Sequence, residues 1–143
     1  MPDIIHEFWV ASPASAVFAA IATPDGLAHW WTRSSTGRVE TGAEYLLDFG
    51  ASHRWAGVVT QCVPEARFEL RITQADGDWT GTLVGFALKP EGARTRVTFH
   101  HTGWPTANEH WRISSYCWAM YLRIMRRYVE HGEVVPYGKR LGA

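Results

Sequence analysis

Histidine is the residue type in this sequence best suited to acid–base or ligand chemistry, and the chain carries seven. His101 is the strongest candidate, because Val97, Phe99 and His101 alternate along a strand-like segment and share its more apolar face. A histidine there can bond the polar end of a ligand, transfer a proton as the catalytic group of an enzyme, or bond a backbone carbonyl. These alternatives stay open, and Arg54 and Glu69 are weaker candidates whose side-chain directions the pattern does not define.

Other patterns that could carry chemistry point to structural roles. His100 and His101 are adjacent on a strand and should point to opposite faces, and the sequence has no H-E-x-x-H pattern. We therefore expect no metal site, and nothing in the sequence indicates a cofactor. Ser114 and Ser115 lie in a helical segment outside any G-x-S-x-G elbow, so we expect them to be packing residues and not nucleophiles.

Composition narrows the class of protein. A formal net charge of zero and a pI near 7.1 give no electrostatic basis for binding nucleic acid. We expect a cytoplasmic protein without membrane insertion, because the chain shows neither a signal sequence nor a long apolar run. Cys62 and Cys117 lack C-x-x-C spacing and are expected to be reduced. At 143 residues, the chain is expected to form one domain, 1–143, and its eight tryptophans need an aromatic interior.

The element that must position these side chains is a long helix predicted over residues 109–131. Thr106 followed by Glu109 has the form of a capping box, and Gly132 stands where a left-handed C-cap is expected. Residues that recur every three or four positions define its buried face. They are Trp111, Ser115, Trp118, Leu122, Met125 and Val129.

A second apolar line follows the same helix and suggests a partner surface. It consists of Ile113, Tyr116, Met120 and Ile124, and it predicts a homodimer contact unless loops or the C-terminal tail cover it. Arg123, Arg126 and Arg127 we interpret as a solvated face. The tail, residues 133–143, is expected to be a solvated terminus.

The preceding hundred residues indicate a sheet interrupted by two short helices. Residues 4–10 alternate as a first strand. Ser12-Pro13 and Thr23-Pro24 are helix-start signals, the first for a helix over 14–22 and the second for a short helix that carries Leu27, Trp30 and Trp31. After a polar loop at 34–42, strands are predicted at 45–49, 55–62, 67–73, 79–89 and 95–101. The expected class is α+β, a curved antiparallel sheet wrapped around the long helix.

This order of elements resembles the START-like, or SRPBCC, helix-grip superfamily. Four segments are similar to motifs of its activator-of-heat-shock-protein-ATPase homologue (Aha-type) family. They are VASPASAVFAAIATPDGLAHWW at 10–31, WAGVV at 55–59, LKPEGARTRVTFHHTGW at 88–104 and CWAMYLRIMRRYVEHG at 117–132. The resemblance spans nearly the whole chain.

The resemblance implies a cavity between sheet and helix, where superfamily members bind lipids, sterols, polyketides or plant phenolics. The expected function is therefore binding of a small hydrophobic ligand, aromatic or lipid-like. Alternatives are a cyclase or dehydratase with His101 as acid or base, and a protein-interaction module of co-chaperone type, although 143 residues leave no room for the second domain of the eukaryotic activators. The cavity lining carried over from the family is Trp30, Trp31, Phe49, Trp55, Phe68, Phe86, Phe99, His101, Trp111, Trp118 and Leu122.

Overall fold

A seven-stranded antiparallel sheet and a long C-terminal helix form the protein, as expected for a helix-grip fold. The computed structural model describes residues 2–50 and 53–142. The strands are β1 (Ile4–Val10), β2 (Ser34–Thr36), β3 (Glu44–Asp48), β4 (Arg54–Val63), β5 (Arg67–Gln74), β6 (Leu83–Glu91) and β7 (Arg94–Thr102). The helices are α1 (Ala14–Ala22), α2 (Pro24–Ala28) and α3 (Glu109–His131), with 3-10 turns at Gly77–Trp79 and Tyr137–Gly142.

The sheet order is β1-β7-β6-β5-β4-β3-β2, so only β1 pairs with a strand distant in sequence. Ile4 lies opposite His101 and Val10 opposite Thr95. Because side chains alternate along a strand, His101 is buried on the concave face and His100 lies on the convex face. The predicted opposite directions of the two histidines are confirmed.

Helix α3 has the predicted bounds, but its N-terminal cap was predicted at the wrong residue. The side chain of Asn108 accepts a hydrogen bond from the backbone N–H of Trp111 at 3.0 Å, in place of the predicted Thr106–Glu109 capping box. Asn108 directly precedes the helix, where a side-chain oxygen reaches the first unpaired N–H groups. At the other end Gly132 has φ 69°, which confirms the left-handed C-cap.

Helix α1 begins without the predicted serine cap, since Pro13 is its N-cap residue and no side chain bonds there. The prediction for α2 is confirmed in part. The Thr23 hydroxyl accepts from the Gly26 N–H at 2.9 Å, but α2 ends at Ala28, so Trp30 and Trp31 occupy the turn after it.

Two predictions about the strands are also wrong in part. The predicted loop at 34–42 contains β2, which pairs with β3 through Ser34 and Asp48 and is polar because it is an edge strand. The strand predicted at 79–89 begins only at Leu83. A 3-10 turn occupies Gly77–Trp79, and Gly81 has φ 90°, a conformation outside the strand region.

The tail is folded against the protein, contrary to the predicted solvated terminus. Arg140 is 3% exposed, and its guanidinium donates to the carbonyl oxygens of Ala28, Thr32 and Val135, each at 3.0 Å. The Tyr137 hydroxyl donates to the Phe49 carbonyl at 2.8 Å. Ala143 lies outside the described residues. Among the helices described, none combines the length and apolar character needed to cross a membrane.

Candidate functional site

The structure brings the predicted lining residues together between the concave face of the sheet and α3. Three of them are half-buried: Phe49, Trp55 and Trp111. The others are buried, namely Trp30, Trp31, Phe68, Phe86, Phe99, His101, Trp118 and Leu122. Among the described residues, the candidate site is thus an interior packed with its own side chains, and the three half-buried members are the ones that reach solvent.

Five aromatic side chains form a closed ring of contacts at the centre, which we call the aromatic circuit: Trp31, Phe49, Trp55, Trp79 and Trp118. Successive ring centroids lie 5.3, 4.8, 4.9 and 5.6 Å apart, and Trp118 returns to Trp31 at 5.2 Å. These distances are those of favourable offset and edge-on aromatic pairs. Phe99 packs on Trp118 at 4.5 Å and joins the circuit to the sheet.

Trp79 is the member of the circuit that the sequence reasoning missed. Its indole N–H donates to the Ser114 hydroxyl at 3.1 Å, which ties the 3-10 turn before β6 to α3. The turn carries Trp79 over the interior, whereas alternation along the predicted strand gave it no distinctive place. A tryptophan beside the turn signal Asp76-Gly77-Asp78 was the available indication.

His101 is fully buried and both of its ring nitrogens are already bonded. The Trp118 indole N–H donates to Nδ1 at 3.0 Å, so Nε2 carries the proton and donates to the Thr82 hydroxyl oxygen at 2.8 Å. That hydroxyl donates in turn to the Trp79 carbonyl. Burial lowers the pKa of His101 to about 3, with smaller contributions from His100 and His110. The imidazole is therefore neutral at neutral pH.

A comparison of the sequence with models of protein families identifies the family of this chain. The model of the Activator of Hsp90 ATPase homolog 1-like proteins matches residues 11–130. The chain belongs to this family. No curated protein sequence matches the chain.

Several solved structures show the same fold as this chain. The Aha1 dimer from Colwellia psychrerythraea superposes with a TM-score of 0.83 at 24% identity, covering 93% of this chain and 99% of that one. Protein SSP2350 from Staphylococcus saprophyticus gives 0.77 at 21%, covering 94% and 96%. DynU16, a protein from the dynemicin biosynthetic locus, gives 0.80 at 21%, covering 94% of this chain and 50% of that one.

Hydrogen-bond donors remain unused at two of the half-buried residues of the candidate site. The indole nitrogens of Trp55 and Trp111 are shielded from water and have no hydrogen-bond partner among the described residues. The indole nitrogen of Trp104, a fully buried residue, also has no hydrogen-bond partner among the described residues. Buried donors are normally satisfied, so the Trp55 and Trp111 N–H groups are where a bound molecule with an acceptor atom would fit.

The C-terminal segment borders the same edge. The Tyr137 hydroxyl bonds Phe49 of the circuit, and the Arg140 guanidinium lies 5.4 Å from the Tyr137 ring centroid. Burial lowers the pKa of Arg140 and raises the pKa of Tyr121, both in the region where the tail meets α3. The segment is therefore anchored beside Phe49 of the aromatic circuit.

The predicted partner line on α3 is exposed in its first half only. Ile113 is 52% exposed and Tyr116 81%, and Met120 is half-buried. Ile124 is 0% exposed, so its assignment to a partner surface is wrong. Leu122 and Met125 are also buried, so this part of α3 is covered on more than one side. The folded tail contacts the same helix. Within the described ranges, no three His, Cys, Asp or Glu side chains are grouped to hold a metal ion.

Proposed function

We propose that the protein binds a small ring-containing hydrophobic ligand at the half-buried edge of the aromatic circuit. The observation that carries the proposal is the Trp55 indole N–H, which is shielded from water, lies beside Phe49 and Trp79, and has no acceptor in the described structure. A carbonyl or hydroxyl oxygen on a flat apolar molecule would satisfy this donor while its ring packs on the neighbouring aromatic side chains.

The energetics favour a ligand with a sizeable apolar area. Burial contributes about 25 cal/mol per Å² of apolar surface, and satisfying an orphaned donor adds about 1–3 kcal/mol. Trp31 and Trp118 are packed and buried, so we expect the ligand to enter where the neighbouring rings of Phe49 and Trp55 are half-buried. The C-terminal segment borders this entry side, because the Tyr137 hydroxyl bonds the Phe49 carbonyl.

Nuclear magnetic resonance of the indole N–H groups tests the proposal directly. The eight tryptophans each give one indole resonance, and the ¹⁵N-labelled protein is titrated with a flavanone, an anthraquinone, a sterol and a fatty acid. We expect one ligand class to give saturable shifts of the Trp55 and Trp111 resonances. The Trp9 indole, which bonds Glu91 at 2.9 Å on the convex face, should not move.

Two matched variants distinguish the loss of a ligand contact at Trp55 from the general effect of replacing a tryptophan by phenylalanine. Trp55→Phe keeps an aromatic ring but removes the N–H donor together with part of the ring surface, and it should weaken the binding detected above by at least about tenfold, the equivalent of one lost hydrogen bond. Trp9→Phe makes the same chemical change on the convex face and should leave affinity unchanged. Absence of a saturable response to all four ligand classes, or an equal loss in both variants, would refute the proposal.

A cyclase or dehydratase that uses His101 gains no support from the geometry. Proton transfer would require the imidazole to leave its partners Trp118 and Thr82, and a pKa near 3 makes it a poor base at neutral pH. That reading stays a prediction from the sequence.

A homodimer is a second proposal, supported by the exposed part of the α3 line. Ile113 and Tyr116 are large apolar side chains on one exposed helix face, and the Colwellia relative is described as a dimer. Sedimentation of the wild type should give a dimer that Tyr116→Glu converts to a monomer. Arg67→Glu, at an exposed position of strand β5 and outside α3, should leave the dimer intact. A monomeric wild type at millimolar concentration would refute it.

A further inference from the structure

A groove separate from the aromatic circuit runs between strand β1 and helix α3. It encloses about 180 Å³. Phe8 on the strand and Ala119 and Leu122 on the helix form its apolar part, and Arg123 and Arg126 stand along the helix side. Ala119 contributes only a methyl group to this lining.

Two of the residues that line the groove carry a polar atom that is shielded from solvent and lacks a partner in the described structure: Nε2 of His6 and Nε of Arg126. Nε of Arg127, outside the groove, lacks a hydrogen-bond partner as well. The His6 ring is held in place by stacking on Phe99, with ring centroids 6.2 Å apart. Buried polar groups that lack a protein partner are the exception in folded proteins, so their presence together marks a place where another molecule can bond. Both atoms can act as donors.

The charge of the groove is positive. Neither Arg123 nor Arg126 forms an ion pair with any described residue, whereas Arg127 of the same helix lies 4.0 Å from Glu133. Glu7 also lines the groove, but its carboxylate lies 3.6 Å from the Arg96 guanidinium. Guanidinium groups bind carboxylates through paired, charge-assisted hydrogen bonds.

We propose that this groove binds the carboxylate of a small amphipathic acid. The carboxylate oxygens accept hydrogen bonds from Arg126 and from His6 Nε2, Arg123 adds positive charge at the rim, and the apolar part of the acid packs against Phe8, Ala119 and Leu122. The site is distinct from the aromatic circuit, so it can bind or fail to bind independently of the ligand proposed above.

A matched pair of probes tests the role of the charge. The ¹⁵N-labelled full chain is titrated at low salt with 4-phenylbutyrate and with 4-phenylbutanamide, which differ only in the carboxylate. We expect saturable shifts of the backbone amides of Phe8, Ala119 and Arg123 with the acid, and about tenfold weaker binding of the amide. Equal affinities for the acid and the amide would overturn the proposal. So would a titration in which the acid shifts only the indole resonances of Trp55 and Trp111.

Charge variants on one helix complete the test. Arg126→Gln should weaken 4-phenylbutyrate binding by about tenfold, and Arg123→Gln, at an exposed position where folding is not at risk, by about threefold. Arg127→Gln removes the same charge outside the groove and should change affinity by less than about twofold. If Arg127→Gln costs as much as Arg123→Gln, the acid is attracted only by the overall charge of the helix and the proposal is wrong.

Discussion

The neighbours His100 and His101 show how differently the two faces of the sheet accommodate the same side chain. On the concave face, His101 is enclosed by Trp79, Trp104 and Trp118, and burial keeps its imidazole neutral. On the convex face, Nε2 of His100 lies 2.7 Å from a carboxylate oxygen of Glu69.

The convex site is a polar array that depends on small neighbours. The Thr60 hydroxyl donates to the other Glu69 oxygen at 2.7 Å, and Glu69 is only 8% exposed although it lies on the outer face. Gly85 lies between Glu69 and His100 in the sheet register, and a Cβ there would be 2.7 Å from Cε1 of His100. The glycine lets the imidazole lie flat across β6. The concave face is thus stabilised by aromatic packing and the convex face by a hydrogen-bonded carboxylate.

The largest difference between the faces should appear when one tryptophan is removed from each. Trp118→Ala deletes a member of the aromatic circuit and leaves Nδ1 of His101 without its donor, so we expect the free energy of unfolding to fall by about 3–5 kcal/mol. Trp9→Ala on the convex face should cost about 1 kcal/mol, since Trp9 is 37% exposed and contributes one hydrogen bond and cation–π contacts. Urea unfolding measures both. Similar losses would contradict the comparison.

We expect acid to destabilise the protein through His101, the buried histidine on the concave face of the sheet. The native state holds His101 neutral with a pKa of about 3, whereas the unfolded chain takes up a proton near pH 6.5. The contribution of His101 to stability is therefore complete above pH 6.5 and is lost as the pH falls from 6.5 towards 3. The slope is at most about 1.4 kcal/mol per pH unit.

Proton NMR of the native protein provides the direct check on this pH dependence. The Cε1–H resonance of His101 should not titrate between pH 7 and about pH 4. His101→Gln should have a shallower loss of stability over the same range, if it folds. Titration of the native His101 near pH 6 would contradict the burial argument.

The periodicity of apolar residues predicted most of the fold, because each repeat identifies the buried face of one helix or strand. The spacing of Trp111, Trp118 and Leu122 with the glycine at Gly132 was enough to place α3, and alternation placed His100 and His101 on opposite faces. Strand β2 was missed because its residues Ser34–Thr36 are polar on an edge with no buried face of their own.

The site was less predictable because its decisive features depend on distant partners. The aromatic composition indicated an aromatic interior, but the unused N–H of Trp55 is visible only when every nearby acceptor has a position. Arg140 was expected in solvent because arginine usually is. Its burial depends on the carbonyls of Ala28 and Thr32, more than a hundred residues earlier, and no local pattern reports that pairing.

A methyl group added at Gly85 tests whether the convex array needs its small neighbour. Gly85→Ala places a Cβ 2.9 Å from the Phe68 carbonyl oxygen and against the His100 ring, so we expect a loss of about 2 kcal/mol in thermal or urea unfolding. Gly138→Ala, where an added Cβ meets no atom within 4 Å, should be nearly neutral. An unchanged stability of Gly85→Ala would mean that His100 can leave Glu69 without cost.

The smallest effect should come from Glu69→Gln, which keeps the shape of the side chain and removes its charge. The amide can still bond the Thr60 hydroxyl, but the charge-assisted bond to His100 becomes a neutral one, so we expect a loss of about 1 kcal/mol. Glu44→Gln, an exposed residue of β3, makes the same charge change and should fall within about 0.5 kcal/mol of wild type. Combining Glu69→Gln with His100→Gln sharpens the test. If Glu69 acts through His100, the double variant should lose less than the sum of the two single variants, whereas additive losses would show that the carboxylate and the imidazole stabilise the convex face independently.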